Sequence, residues 1–238
     1  MTDALRGREI VLAGGSGGLG AASAKLLAAE GAAVIIGYRS NAARAQALPG
    51  AAIQADITQQ QDRSRLLDAA ARLYGLVVFT GDPARVSEPS QMEAAMQRSH
   101  EVNFAGPILL AREAAARMKA GGTPGSIVLF STMQAVSLFA GSTAYGAAKA
   151  ALLHAARVLA KECRGKTNIR VNVICPGVNA AGMAEASIAS GKYQRYIDED
   201  IIPRYGRALD IAQAVRFLLE PDNYITGQVL TIDGGLTL

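Results

Sequence analysis

Tyr145 and Lys149 stand four residues apart in the segment Tyr145-Gly-Ala-Ala-Lys149. Inside a helix that spacing puts both side chains on one face. A phenol with an ordinary pKa near 10 is a poor acid or base at neutral pH, and a neighbouring ammonium favours the phenolate and lowers that pKa. Ser131-Thr132 lies upstream, at the end of the apolar run Ser126-Ile-Val-Leu-Phe130. From there the Thr132 hydroxyl is placed to hold a substrate oxygen beside the phenol. The three residues read as proton-transfer machinery acting on an oxygen.

A second constellation lies near the start, where Glu9-Ile-Val-Leu-Ala13 runs into Gly14-Gly-Ser-Gly-Gly18-Leu-Gly20. The loop satisfies two overlapping spellings, one through Gly15, Gly17 and Gly20 and one through Gly14, Gly18 and Gly20. Between a strand and a helix, such a loop suits a dinucleotide pyrophosphate. Its glycines allow close backbone approach, and the helix N-terminus offers free N–H donors. The second strand ends in Gly37-Tyr38-Arg39-Ser40, with no acid to hold both ribose hydroxyls. Arg39 pairs well with a phosphate and Ser40 donates to one, which favours NADP(H) over NAD(H). Arg39 also fits an ordinary solvated loop. Asp56 is placed to bond an adenine amine or, equally, to cap a helix.

Stepping from strand to helix along the chain, the same pattern repeats. Strands are expected at 9–13, 33–37, 51–55, 75–79, 126–130, 169–174 and 228–232. Helices are expected at 21–30, 61–74, 92–118 (interrupted by Gly106-Pro107), 145–163 and 210–219. Continuous rather than alternating apolar strands, separated by helices, indicate an α/β fold with a doubly wound parallel sheet and helices on both faces. No linker or charge block divides residues 1–238, so one domain is expected. Residues 180–205 mix Met183, Ile188, Tyr193, Tyr196 and Ile197 with charged residues, and read as a substrate lid made of an amphipathic helix pair or as a solvated insertion.

Composition closes off other classes. The chain of 238 residues is 50% hydrophobic and 18% charged, with a formal net charge of +4, which excludes a disordered protein. Cys163 and Cys175 are too few for a disulfide framework, and no zinc spacing or paired histidine is present, so no metal is expected. Basic residues are scattered singly with few aromatics between them, so no nucleic-acid partner is expected. The N-terminus has no apolar signal core and no run of 18 apolar residues exists, so a cytoplasmic chain without a membrane span is expected. Helix 145–163 is apolar around most of its circumference, which calls for a second packing partner.

Gly14-x3-Gly18-x-Gly20, Asp56, Asn103, Tyr145-x3-Lys149, Cys175-Pro-Gly177, Ile202-Pro-Arg-Tyr-Gly206 and Tyr224-Ile-Thr-Gly-Gln228 through Asp233-Gly-Gly235 occur in this order. With them the chain resembles the short-chain dehydrogenase/reductases, particularly ketoreductases similar to 3-oxoacyl-acyl-carrier-protein reductase, over essentially its whole length. The resemblance implies a single-domain Rossmann fold of about seven strands. It implies hydride transfer between a nicotinamide and a carbonyl or alcohol, with a 3-oxoacyl thioester or another ketone as substrate. Tyr145 would donate the proton during reduction, Lys149 would hold the nicotinamide ribose, Thr132 would orient the carbonyl and Asn103 would bend its helix to seat a water. The implied cofactor contacts are Gly14, Ser16, Gly18, Leu19, Gly20, Arg39, Ser40, Asp56, Ile57, Thr80, Gly81, Tyr145, Lys149, Pro176, Gly177 and Val178. A homotetramer or homodimer is implied as well.

Four departures stand against that pattern. Ala13 replaces a Thr before the loop, and Phe79-Thr-Gly-Asp82 replaces Asn-Asn-Ala-Gly, two changes that meet at one loop-to-strand contact. Thr132 replaces the commoner Ser. Val178-Asn-Ala-Ala181 lacks the Thr that bonds the nicotinamide carboxamide, leaving backbone groups or Asn179 to replace it. These departures motivate a second reading, a slow or inactive dinucleotide-binding relative acting as a sensor or partner-binding module.

Overall fold

The computed structural model describes residues 4–238. Among these residues seven strands form one parallel sheet in the order β3-β2-β1-β4-β5-β6-β7. They are β1 (Glu9–Ala13), β2 (Ala33–Tyr38), β3 (Ala51–Gln54), β4 (Leu73–Val78), β5 (Gly125–Phe130), β6 (Ile169–Pro176) and β7 (Val229–Ile232). Helices α1 (Gly18–Ala29), α2 (Ala42–Gln46), α3 (Gln60–Asp68), α4 (Met92–His100), α5 (Gly106–Ala120), α6 (Thr143–Glu162), α7 (Glu185–Ala189), α8 (Arg195–Asp198) and α9 (Ala208–Leu219) join them.

Strand alternation makes two cores from one sheet. Val11 and Ala13 face a cluster with Leu66 of α3, Leu110 of α5 and Leu152 of α6, whereas Ile10 and Leu12 face Leu27 of α1 and Val215 of α9. Central strands β4 and β5 are buried throughout, which is why their sequences are continuously apolar. Edge strands β3 and β7 stay partly exposed. Buried Arg170 on β6 donates to the carbonyls of Leu218 (2.9 Å) and Glu220 (2.9 Å), and the Tyr74 hydroxyl donates to that of Leu219 (2.6 Å). These bonds satisfy the orphan carbonyls at the end of α9.

Most boundaries shift by one to three residues and the short α2 is not among the expected helices, but two differences have a physical reason. The helix expected over 61–74 ends at Asp68, and Leu73 and Tyr74 open β4, where Leu73 pairs with Glu9. Ala69-Ala-Ala-Arg72 carries helical propensity past that end, but burial of Leu73 and Tyr74 in the sheet wins. Gly106-Pro107 does not interrupt a helix. It opens α5, and the irregularity lies just before it, as a π-turn over Glu101–Ala105.

With β1 next to β4, the chain leaves the sheet in opposite directions from neighbouring strands. A crevice therefore opens beyond their C-terminal ends. Gly14 and Gly177 follow β1 and β6 directly, and Thr80 and Thr132 follow β4 and β5 by two residues, so these four sequence-predicted site segments reach that one edge.

Candidate active site

The glycine loop leaves β1 by hydrogen-bonding back to the sheet, with the Gly14 and Gly15 amides donating to the Gly37 carbonyl (3.0 and 3.1 Å). Gly14 has φ +74°, a region that disfavours side chains. At Gly20 a Cβ would stand 2.7 Å from the Gly15 Cα, so only glycine lets α1 start this close to the loop. No side chain caps α1 at Gly17. Its first-turn amides thus remain available to an anion, with Ser16 beside them and Leu19 packed on the α1–α9 core.

The coupled departures at Ala13 and Phe79–Asp82 meet as expected. The Phe79 amide donates to the Ala13 carbonyl (2.9 Å), and a Cβ at Gly14 would lie 3.0 Å from the Thr80 methyl. The Thr80 hydroxyl is buried with no hydrogen-bond partner among the described residues. Such a hydroxyl at the mouth of a glycine loop suits a polar ligand. A dinucleotide therefore fits these residues. Arg39 and Ser40 lie exposed beyond β2, at the far end of the same edge. Asp56 spends Oδ1 on Thr58, accepting from its amide (3.0 Å) and hydroxyl (2.8 Å), which closes the turn before α3 without capping that helix, whose N-cap is Gln59. Ile57 is buried, and its carbonyl accepts from Arg63.

Thr132 caps the short turn after β5, accepting from the Gln134 amide (3.3 Å), and its hydroxyl acts to lower the pKa of the Tyr145 phenol. Burial pushes the phenol up to about 12, against the lowering effect of the Thr132 hydroxyl. Lys149 lies one turn further along α6 and is fully buried, and burial pushes its ammonium down to about 7. Its Nζ donates to the carbonyls of Phe130 (2.8 Å) and Thr80 (3.2 Å), tying α6 to the ends of β5 and β4. The expected lowering of the phenol pKa by lysine is not found: burial dominates, and the one lowering influence is the Thr132 hydroxyl.

Asn103 sits inside the π-turn and is wholly buried. Its Oδ1 accepts from the Asp82 amide (2.9 Å), and its Nδ2 donates to the Asp82 carbonyl (2.8 Å) and Ser99 Oγ (2.8 Å). Ser99 Oγ donates in turn to the carbonyl of Ala144, the residue before Tyr145 (2.6 Å). Sequence reasoning missed Ser99, although a serine four residues before Asn103 shares its helix face. Ser131 also has a defined task, donating to the Lys149 carbonyl (2.9 Å).

Beyond β6, Pro176 and Gly177 border the crevice, and Val178 is buried. Asn179, one of the expected replacements for the missing Thr, is turned inward. Its side chain is buried and donates to the Gly177 carbonyl (3.0 Å), while its backbone bridges Gly206. Ala181 and Gly182 lie instead over the glycine loop, where a Cβ on Gly18 would stand 2.6 Å from the Gly182 amide nitrogen. Residues 182–204 hold a pair of short helices, α7 and α8. Among the described residues there is no cluster that could hold a metal, and no helix long and apolar enough to cross a membrane.

A glycine loop at a strand-order reversal, facing a Thr–Tyr–Lys group from the end of β5 and from α6, defines a nucleotide-dependent oxidoreductase of the α/β class. Comparison with known proteins gives the family. A family model described as Enoyl-(Acyl carrier protein) reductase matches residues 13–237. The chain is 34% identical over 242 residues to Carbonyl reductase family member 4 of Danio rerio, covering 97% of this chain and 98% of the relative. It is 31% identical over 261 residues to the chloroplastic NADPH-dependent aldehyde reductase 2 of Arabidopsis thaliana, covering 98% and 95%. A short-chain type dehydrogenase/reductase from Mycobacterium ulcerans superposes with a TM-score of 0.89 at 29% identity, covering 98% and 91%. The chain belongs to the short-chain dehydrogenase/reductases.

Proposed function

We propose that this protein is an NADPH-dependent carbonyl reductase in which Tyr145 delivers the proton. The observation that carries the reading is the grouping of buried Thr132 and Lys149 with half-buried Tyr145 at the edge of the sheet that bears the glycine loop. When bound, the nicotinamide supplies the hydride. The protein's residues do the rest. Thr132 and Tyr145 converge on one point and hold the carbonyl oxygen between two hydroxyls, which stabilises the negative charge that develops there. Tyr145, held protonated by burial, releases its proton to that oxygen. Lys149 supports the phenolate that remains and holds ribose hydroxyls, while Asn103 fixes the backbone on which Thr80 and Asp82 stand. The segment 180–205 closes over the substrate.

Arg39 and Ser40 read the 2′-phosphate of NADPH, in keeping with an NADPH-dependent relative by name. Substrates include small ketones, aldehydes and 3-oxoacyl thioesters. The molecule assembles as a homotetramer through the exposed faces of α5 and α6. The test is cofactor oxidation by the full chain across a panel of these carbonyls, with NADPH and NADH compared in wild type and Arg39→Asp. We expect turnover with NADPH and about a tenfold or greater swing toward NADH in the variant. NADPH binding with no turnover on any member would favour the dinucleotide-binding module instead, and an unchanged cofactor ratio would remove Arg39 from the reading.

A further inference from the structure

The loop after β4 is pinned in an unusual shape beside the phenol. Ala84 adopts φ +45° without being glycine, is buried, and packs with Val86 in one cluster with Tyr145. Its amide donates to Asp82 Oδ1 (2.6 Å), and Asp82 Oδ2 is paired with Arg98 (2.9 Å). Between Ala84 and Val86 the loop presents Arg85 toward the segment 182–189. There its guanidinium donates to the Met183 carbonyl (3.3 Å) and Ser187 Oγ (3.4 Å). Both are long bonds to neutral acceptors, weak partners for a cation. Met183 itself reaches the crevice. Its methyl and Lys149 Nζ each lie 3.6 Å from the point where a Gly81 Cβ would be.

A second cation lies further along the segment that Arg85 touches. Tyr193 acts electrostatically on the Tyr145 phenol, and the Nζ of its neighbour Lys192 stands 5.5 Å from the Tyr193 ring centroid. Among the described residues neither Arg85 nor Lys192 is ion-paired with a carboxylate, whereas Arg98 on α4 is, through Asp82 of this loop. The nearby acids are engaged elsewhere, Glu185 with the Gly182 amide (2.7 Å) and Asp198 with Gln194 (2.9 Å). Two cations without a carboxylate partner therefore stand exposed near the mouth of the crevice, Arg85 on the loop after β4 and Lys192 on the segment after β6.

We infer that the carbonyl substrate carries a carboxylate, which Arg85 and Lys192 seat at the mouth while the carbonyl meets Thr132 and Tyr145. Arg85 exchanges its neutral acceptors for the carboxylate, a forked partner it binds better, and so draws the segment 182–189 onto the substrate. The carboxylate is a handle and is not altered. Hydride goes to the carbonyl carbon, the Tyr145 proton goes to the oxygen, and the product is the hydroxy acid.

This inference rests on the carbonyl-reductase reading, and its test separates the two. NADPH oxidation would be measured on two matched pairs, 4-oxopentanoate and 4-acetylbenzoate, each against its methyl ester. The acid-to-ester ratio of kcat/KM is expected to be about 30 in wild type, to fall toward about 1 in Arg85→Gln through KM, and to recover in part in Arg85→Lys. Lys192→Gln lowers the ratio by a smaller factor, and added salt lowers it in wild type. A wild-type ratio near 1, or one that Arg85→Gln leaves in place, overturns the inference while turnover of the esters upholds the reductase. No turnover of acids, esters or neutral carbonyls overturns both.

Discussion

At the residue scale, the two ionisable groups of the site are displaced in opposite directions by one cause. Burial holds Tyr145 protonated, up to about 12, and makes Lys149 easy to deprotonate, down to about 7. A phenol that keeps its proton suits a donor, which is the role reduction demands. Lys149 carries its ammonium below about pH 7 and loses it above. The kcat/KM for NADPH, which reports groups of the free enzyme, is therefore expected to be flat below about pH 7 and to fall above it. In Lys149→Arg, whose guanidinium stays charged, the fall disappears from a lower plateau. An identical falling limb in the variant would assign the titration to another group. The Tyr–Lys pair was legible in the sequence because spacing alone places both side chains on one helix face. The carbonyl partners of Lys149 were not, since Phe130 and Thr80 meet it only through the sheet.

At the scale of elements, the π-turn over Glu101–Ala105 holds Asn103 where it grips both backbone groups of Asp82. Ser99 links that grip to the first turn of α6. Ser99→Ala leaves the Asn103 Nδ2 short of an acceptor and removes the donor to Ala144. A loss of about 1–3 kcal/mol is expected, with Tm lower by roughly 2–4 °C per kcal/mol. Because Tyr145 follows Ala144, kcat should fall about tenfold while the KM for NADPH changes little. Thermal melts and steady-state rates together check this, and a variant unchanged in both would make the bridge incidental. Strand and helix order could be read from apolar runs and glycine stops, and β1 matches its expected bounds. The π-turn could not, because its wider hydrogen-bonding ring selects no residue type. Nor could the loop at Ala84, whose left-handed backbone occurs without the glycine or asparagine that usually marks it.

At the scale of the whole molecule, α6 divides into a face turned to the sheet and a face turned outward. Leu152, Ala156 and Leu159 are buried, whereas Ala147, Ala151 and Val158 form an exposed stripe at helical spacing. Val158 is 42% exposed, and Leu109 on neighbouring α5 is 42% exposed. The apolar circumference noted in the sequence thus has one half explained by the core and the other by the proposed assembly. Light scattering of the full chain should give a tetramer mass, and Leu109→Glu with Val158→Glu should reduce it to a smaller species. A monomer in the wild type, or a tetramer that survives both charges, would contradict the assembly.

The central claim is that this sheet edge brings a bound nicotinamide and the Tyr145 proton to one carbonyl. Its most direct measurement is single-turnover NADPH oxidation on an accepted carbonyl by wild type and Tyr145→Phe, with NADPH affinity determined for both. The variant keeps the ring and its packing and loses only the hydroxyl. The account predicts NADPH affinity within about twofold and a rate lower by about 10³-fold. Equal rates in the two proteins would contradict it.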